Sequence, residues 1–335
     1  MKKTSHFVRL LALVASVALF VYMLHRTTPA TIFEKARLLG WGFVSLLLLS
    51  GVRQGLRTVA WRSCVEPDGH RPGLLDLFGL RIVGEALNDV TPAGPLLGET
   101  AKVLAVSRRM STQSSASSVV IENLIYGLAA VLFILSGVAW ALLTLATNHG
   151  FRWLAGGLVI CFLLSMLFCF WIINRRVLLL GMIIDRLKGW GLNWGFLDRH
   201  ERDVRGVEKS IYDFFLTRRS LFLYVLAIEI ATNFTGIAEA YLVLKATTAH
   251  SSVLAAYLVE SASRAVQLVF AFVPFGLGVQ EGVAGATLQA LGYAASEGVS
   301  LAVIRKIRTL IWVALGLLLV AKYSIAKPAE EGSET

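Results

Sequence analysis

The sequence predicts an all-α fold: a polytopic membrane helical bundle with about six full spans and two re-entrant broken-helix hairpins in an inverted repeat. Three observations predict it. Over 335 residues, 56% are hydrophobic and only 16% charged, more apolar surface than a soluble domain of that length buries, so lipid is the implied solvent. Apolar stretches recur along the chain, each about the ~20 residues that a helix needs to cross the hydrocarbon core. Two further stretches are broken at mid-length by the same residue pattern.

In chain order, Lys2 and Lys3 precede an apolar run from Phe7 to Leu24. The run lacks a small-residue cleavage site, so it reads as a retained first helix rather than a secretory signal. Further full spans are expected at about 38–58, 119–145, 153–173, 220–244 and 299–322. Each must be helical, because in hydrocarbon the backbone groups have to bond within their own segment. The stretches 74–106 and 253–295 are apolar at both ends but carry Pro, Gly and acidic residues in the middle, and read as hairpins. Counting eight or more ordinary spans is the alternative. The domain reading is a single integral membrane domain, 1–335, with a first repeat at about 38–145, a second at about 220–322, and a loop at 174–219.

That loop holds Arg175, Arg176, Arg186, Lys188, Arg199, Arg202, Arg205, Lys209, Arg218 and Arg219. Basic loops stay in the cytoplasm, and counting spans outward from it puts both termini there too. Within it, Val177 to Trp190 mixes Leu, Ile and Met with Arg and Lys, which suits an interfacial helix or an ordinary amphipathic connector. The net charge of +10 fits such loops and anionic headgroups rather than nucleic acid. Cys64, Cys161 and Cys169 lack metal-ligand spacing, and Cys161 and Cys169, in one apolar span, read as small packing residues.

The first broken stretch reads Pro92-Ala93-Gly94-Pro95-Leu96-Leu97-Gly98-Glu99; the second reads Pro274-Phe275-Gly276-Leu277-Gly278-Val279-Gln280-Glu281. Pro92 and Pro274, Gly94 and Gly276, and Glu99 and Glu281 are separated by one and the same interval. Arg81 and Arg264 match with a one-residue slip. Three expected crossings, an odd number, lie between the motifs, so the hairpins enter from opposite faces, as in secondary transporters built for alternating access. Proline lacks an N–H and glycine tolerates positive φ, so Pro-x-Gly breaks a helix. One such motif alone would read as a plain kink. Two in inverted positions read as half-helix ends facing a cavity, with partial positive charge suited to anions.

Ionisable residues inside spans are costly and mark pathways or internal ion pairs. Arg81, Glu85, Asn88, Asp89, Glu99 and Lys102 flank the first break, and Glu260, Arg264, Gln267, Gln280 and Glu281 flank the second. Glu229 and Asn233 share a helix face in the span at 220, with Glu239 beyond them. Arg305 and Arg308, beside Lys306, share a face in the last span, where snorkelling to headgroups competes with a basic rim that receives lipid phosphate. Together these residues form the expected substrate path.

The run Asn88-Asp89-Val90-Thr91-Pro92-Ala93-Gly94 to Gly98-Glu99, with Pro274-Phe275-Gly276-Leu277-Gly278 and Gln280-Glu281-Gly282, resembles the lysylphosphatidylglycerol synthase transmembrane region, also called flippase-like membrane proteins. The resemblance runs from about residue 7 to 322 and extends to a branch associated with hopanoid biosynthesis. It implies a bacterial inner-membrane protein that handles or translocates lipid. No aminoacyltransferase domain follows before Thr335, so aminoacylation is not expected.

Three functions compete on this reading. A secondary flippase or scramblase would move an anionic or zwitterionic phospholipid, or a hopanoid, with ion coupling or downhill; no Gly-x4-Gly-Lys-[Ser/Thr] loop is present to supply ATP drive. An intramembrane enzyme could use Asp89, Glu99 and Glu281 as acid and base, but there is no His-Glu-x-x-His motif or Gly-x-Ser-x-Gly elbow, and the six histidines lie in the tail, loops or span ends. No catalytic residue, cofactor or metal is expected. A non-catalytic subunit of a lipid synthesis or export system would use Gly127, Gly137, Gly156 and Gly157 for close helix contacts, with itself as a homo-oligomer or with a partner.

Overall fold

The structure, a computed structural model, describes residues 39–65, 72–91, 94–107, 110–144, 195–271 and 273–325, with isolated positions 156, 157, 160 and 186. Among the described residues the elements are helical: α1 (Trp41–Cys64), α2 (Leu74–Val90), α3 (Gly94–Val106), α4 (Thr112–Thr144), α5 (Gly195–Thr217), α6 (Arg219–Thr247), α7 (Val253–Val269), a 3-10 turn (Pro274–Gly276), α8 (Val279–Ala290) and α9 (Ala295–Ile325). The expected spans at 7–24 and 153–173 and the expected interfacial helix at 177–190 lie outside the described residues, residues 156, 157, 160 and 186 excepted.

The element lengths recur. A long helix, a hairpin of two short helices and a second long helix follow one another as α1–α4 and again as α6–α9. The hairpin arms hold 17 and 13 residues in the first case and 17 and 12 in the second. At 1.5 Å per residue none exceeds roughly 25 Å, short of the ~30 Å hydrocarbon core. The long helices α4, α6 and α9, with 33, 29 and 31 residues, exceed it.

Six full spans are expected from the sequence; among the described helices, two combine the length and the apolar composition of a membrane span, Thr112–Leu142 and Arg219–Thr247. The helices α1 and α9 differ for a physical reason. Arg53, Arg57 and Arg62 interrupt α1, and Arg305, Lys306 and Arg308 interrupt α9. Much of that charge is turned inward: Arg57 and Lys306 are buried and Arg305 and Arg308 are half-buried. A second difference concerns the 174–219 loop, whose last part is helix α5. Its Tyr212 and Phe214 are buried, and Phe214 packs with Val225 of α6 and Ile121 of α4. Val204, Val207, Ile211, Phe214 and Phe215 recur every three or four residues among the charges, which accounts for the helix.

The two halves interlock. Leu46 of α1 packs with Ala240, Val243 and Leu244 of α6, Gly42 lies against Leu242, and Arg57 faces Glu229, so α1 and α6 run antiparallel. The arm α2 packs on α9, where Ala86 and Val90 meet Leu310 and Val313. The arm α7 packs on α4, with Tyr257 donating to Ser136 at 2.7 Å and stacking edge-on to Phe133 at 5.4 Å. Each hairpin therefore leans on the last long helix of the other half. The hairpin ends also meet, Val90 and Phe275 sharing one apolar cluster.

The first break lies between α2 and α3 and the second between α7 and α8. Pro92 and Ala93 lie outside the described residues, and Gly94 opens α3. In the second, Phe275, Gly276 and Gly278 have φ of 54°, 56° and 77°, so the chain turns through three positive-φ residues, two of them glycine. Within the first hairpin, a Cβ on Gly98 would strike the Gly84 carbonyl and approach Asn88 Cβ to 3.2 Å. Gly98→Val is therefore expected to lower stability by about 1–3 kcal/mol through overpacking, seen as a lower thermal midpoint in detergent. Gly55→Ala, whose new methyl meets nothing within 4 Å, is expected not to lower it.

Candidate functional site: a charged cavity between the hairpins

A cavity of about 410 Å³ lies where the two hairpins face α1, α4 and α9. Its wall carries six basic side chains, Arg53, Arg57, Arg264, Arg305, Lys306 and Arg308, against four acidic ones, Glu85, Asp89, Glu99 and Glu260. Carboxylates directly behind the wall, Glu122, Glu229, Glu239 and Glu281, offset that excess by pairing with Arg57, Lys306 and Arg308.

Behind the wall, most of these charges are neutralised in two networks. In the first, Arg57 reaches from α1 to carboxylates on three helices: Glu85 at 3.1 Å, Glu122 at 3.2 Å and Glu229 at 3.7 Å. Its guanidinium stacks over the Tyr126 ring, 3.8 Å from the centroid, a cation–π contact strengthened by exclusion of water. Arg81, with no exposed surface, donates to the Arg57 carbonyl at 3.1 Å and to Glu122 at 3.1 Å. In the second network Glu260 accepts from Arg264 at 2.9 Å and pairs with Arg305 at 2.6 Å. Arg264 also donates to the Tyr126 hydroxyl at 2.7 Å, so Tyr126 joins the two. Gly236 makes this possible: a Cβ there would strike the Glu260 carboxylate, and its bare carbonyl accepts from Arg305 at 2.8 Å. Arg308 pairs with Glu239, and Lys306 with Glu281. Glu99 is held by Lys102 at 2.8 Å and Asn123 at 2.7 Å.

Two charged groups on the wall stand apart. Arg53 and Asp89 are half-buried and, among the described residues, have no ion pair or hydrogen bond. Arg264 Nη2, Arg305 Nε and Arg308 Nε are buried N–H groups without an acceptor. A buried donor left unmade costs about 1–3 kcal/mol; these three atoms are turned away from the cavity space, and Arg53 is the guanidinium that stands on the wall without a partner.

Of the residues expected from the sequence, Glu85, Asn88, Asp89, Glu99, Glu260, Arg264, Gln267, Gly276, Gln280, Arg305 and Arg308 line this one cavity. Arg81, Glu229 and Glu281 stand behind it, paired to wall residues, and Asn233 donates from the same face of α6 to the Glu229 carbonyl at 3.2 Å. Pro274 opens the turn that borders it. Arg53, Arg57, Glu122, Asn123 and Tyr126 were not singled out by sequence. Arg53 and Arg57 are four apart inside an apolar stretch, as are Glu122 and Tyr126; that spacing puts each pair on one helix face and was the available signal.

A family model for the lysylphosphatidylglycerol synthase TM region matches residues 9–316. The chain belongs to this family. No curated protein and no solved structure matches. Family membership makes it a membrane, lipid-related protein, and it accounts for buried charges on helices whose outer faces are apolar, such as Leu48 and Val52 of α1 and Leu315 and Leu318 of α9.

The two kinds of arginine separate experimentally. Arg81→Met leaves Arg57 alone to face Glu85, Glu122 and Glu229 inside the fold and is expected to cost roughly 3–5 kcal/mol, whereas Arg53→Met, which breaks no pair, is expected to stay within about 0.5 kcal/mol. Denaturant unfolding of the detergent-solubilised protein measures both.

Proposed function

We propose that this protein is a secondary transporter of lipid, moving a phosphate-bearing phospholipid between leaflets through the cavity without ATP and without chemistry on the lipid. The observation that carries the reading is Arg53, a guanidinium without an ion pair or hydrogen bond on the cavity wall inside the bundle. A phosphate accepts several N–H donors at once, and charge-assisted bonds to it are among the strongest a protein makes. Asp89, also without a partner on the same wall, supplies an acceptor for the cationic end of a zwitterionic headgroup. Anionic and zwitterionic phospholipids therefore fit better than a neutral hopanoid, which offers no phosphate.

The helix arrangement supports the same reading. The corresponding long helices α1 and α6 run antiparallel, the hairpins lean across onto each other's halves, and their broken ends meet at the cavity, as an inverted repeat requires. Rocking one half against the other would open the cavity first to one leaflet and then to the other. We place the protein in a bacterial inner membrane with both termini cytoplasmic, on the basic loop at 174–219.

Purified protein in liposomes is expected to speed the movement of a fluorescent phosphatidylglycerol between leaflets. Arg53→Gln is expected to slow it about tenfold or more, the equivalent of one lost charge-assisted bond, and Asp89→Asn to slow phosphatidylethanolamine more than phosphatidylglycerol. Unchanged rates in both variants, with the fold intact, would overturn the assignment.

A further inference from the structure

The network around Arg57 contains one carboxylate too many. Two guanidiniums, Arg57 and Arg81, serve three carboxylates, Glu85, Glu122 and Glu229. The neighbouring cations are engaged elsewhere or stand off: Lys102 is held by Glu99, Arg264 by Glu260, and Arg53 forms no pair. An unneutralised carboxylate deep in the fold is far more costly than a protonated one.

Geometry singles out the odd member. Glu122 and Glu85 each lie within hydrogen-bond range of Arg57, and Glu122 also of Arg81. Glu229 has no exposed surface, its Oε2 is 3.7 Å from Arg57 Nε, and its Oε1 has no partner. The Thr232 hydroxyl donates to the Glu229 carbonyl at 2.7 Å and lies 3.5 Å from Oε2. With that proton committed and the separation beyond a good O–H···O bond, the hydroxyl does little to hold the carboxylate. Asn233 Oδ1, one turn on, is likewise buried without a donor. One proton on Glu229 would neutralise the excess charge.

We propose that Glu229 is a proton-binding site and that this network couples proton movement to transport; the coupling half of the inference rests on the lipid-transporter reading. A proton fits where a metal ion does not. Glu229 does not line the cavity, and among the described residues no group of three His, Cys, Asp or Glu side chains could hold a metal. Glu85 does line the cavity, with its side chain 25% exposed, so protons enter from cavity water through Glu85 and Glu122. Arg57 and Cys64 of α1, Arg81 and Glu85 of α2 and Glu122 and Tyr126 of α4 surround the site. Farther along α6, at Gly236 and Glu239, stand Glu260 and Arg264 of α7 and Arg305 and Arg308 of α9. At the other end, α5 meets α6 through Phe214 and Phe215. Protonation cancels the Glu229–Arg57 attraction that ties α6 to α1, while Arg57 keeps Glu85 and Glu122. The contact thus biased lies between the two halves that alternating access must move.

Infrared spectroscopy of the purified protein at neutral pH tests the site directly. A protonated-carboxyl stretching band is expected that shifts in D2O, shifts on carbon-13 labelling of glutamate but not aspartate, and is lost in Glu229→Gln. A missing band, or one that survives Glu229→Gln, overturns the site; the isotope arm needs no variant. In liposomes, an imposed pH gradient is expected to change wild-type phosphatidylglycerol movement several-fold and to leave Glu229→Gln unaffected. Wild-type movement indifferent to the gradient overturns the coupling while lipid transport stands. A band that behaves as expected without any lipid movement supports the proton site and overturns the transport reading instead.

Discussion

Arg57 is held on five sides, by Glu85, Glu122 and Glu229, by the Tyr126 ring, and by Arg81 donating to its carbonyl. A guanidinium in a helix of this kind has two ways to avoid hydrocarbon: to snorkel to a surface or to find carboxylates inside. The second constrains the fold far more. It requires α1, α2, α4 and α6 to bring their polar faces to one point, and once they do so the apolar faces point outward to lipid. The same logic operates at Glu260, where α7, α9 and the Gly236 carbonyl of α6 converge.

The cavity follows from this arrangement. Charges on opposed helices that all found internal partners would close the centre. Here most of the charges pair with one another or with carboxylates behind the wall, while Arg53 and Asp89 on it have no internal partner among the described residues. Short broken helices make room, because arms of 17 and 12 residues end at a turn that borders the cavity. Close packing holds the turn in place: Phe275, at positive φ, is buried with Val90, Leu310 and Val313.

Much of the fold was legible in the sequence because hydrocarbon imposes simple rules. Apolar length marked α4 and α6, and the Pro-x-Gly motifs lie where the hairpins turn. Helix α5 was not, because its charges, Glu201, Arg202, Asp203 and Arg205 among them, dominate the composition while its buried Tyr212 and Phe214 are few. The site was half legible. Residues beside the breaks, such as Glu85, Asp89 and Arg264, were found because the breaks drew attention to them. Arg53, Arg57, Glu122 and Tyr126 sit in long helices whose apolar neighbours masked them. Which charges pair and which stand free is a property of the packed helices: nothing in the sequence separates Arg57, with three carboxylates, from Arg53, with none.

The central claim is that the cavity receives a phospholipid headgroup, and site-specific photocrosslinking in native membranes tests it most directly. A photoreactive residue replaces Gln267 on the cavity wall, or Leu318 on the outer face as a control, and adducts are read by mass spectrometry. The account predicts phospholipid adducts at both positions, with those at Gln267 alone diminished by Arg53→Gln. Adducts at Gln267 that are absent, or that persist undiminished in Arg53→Gln, would contradict it.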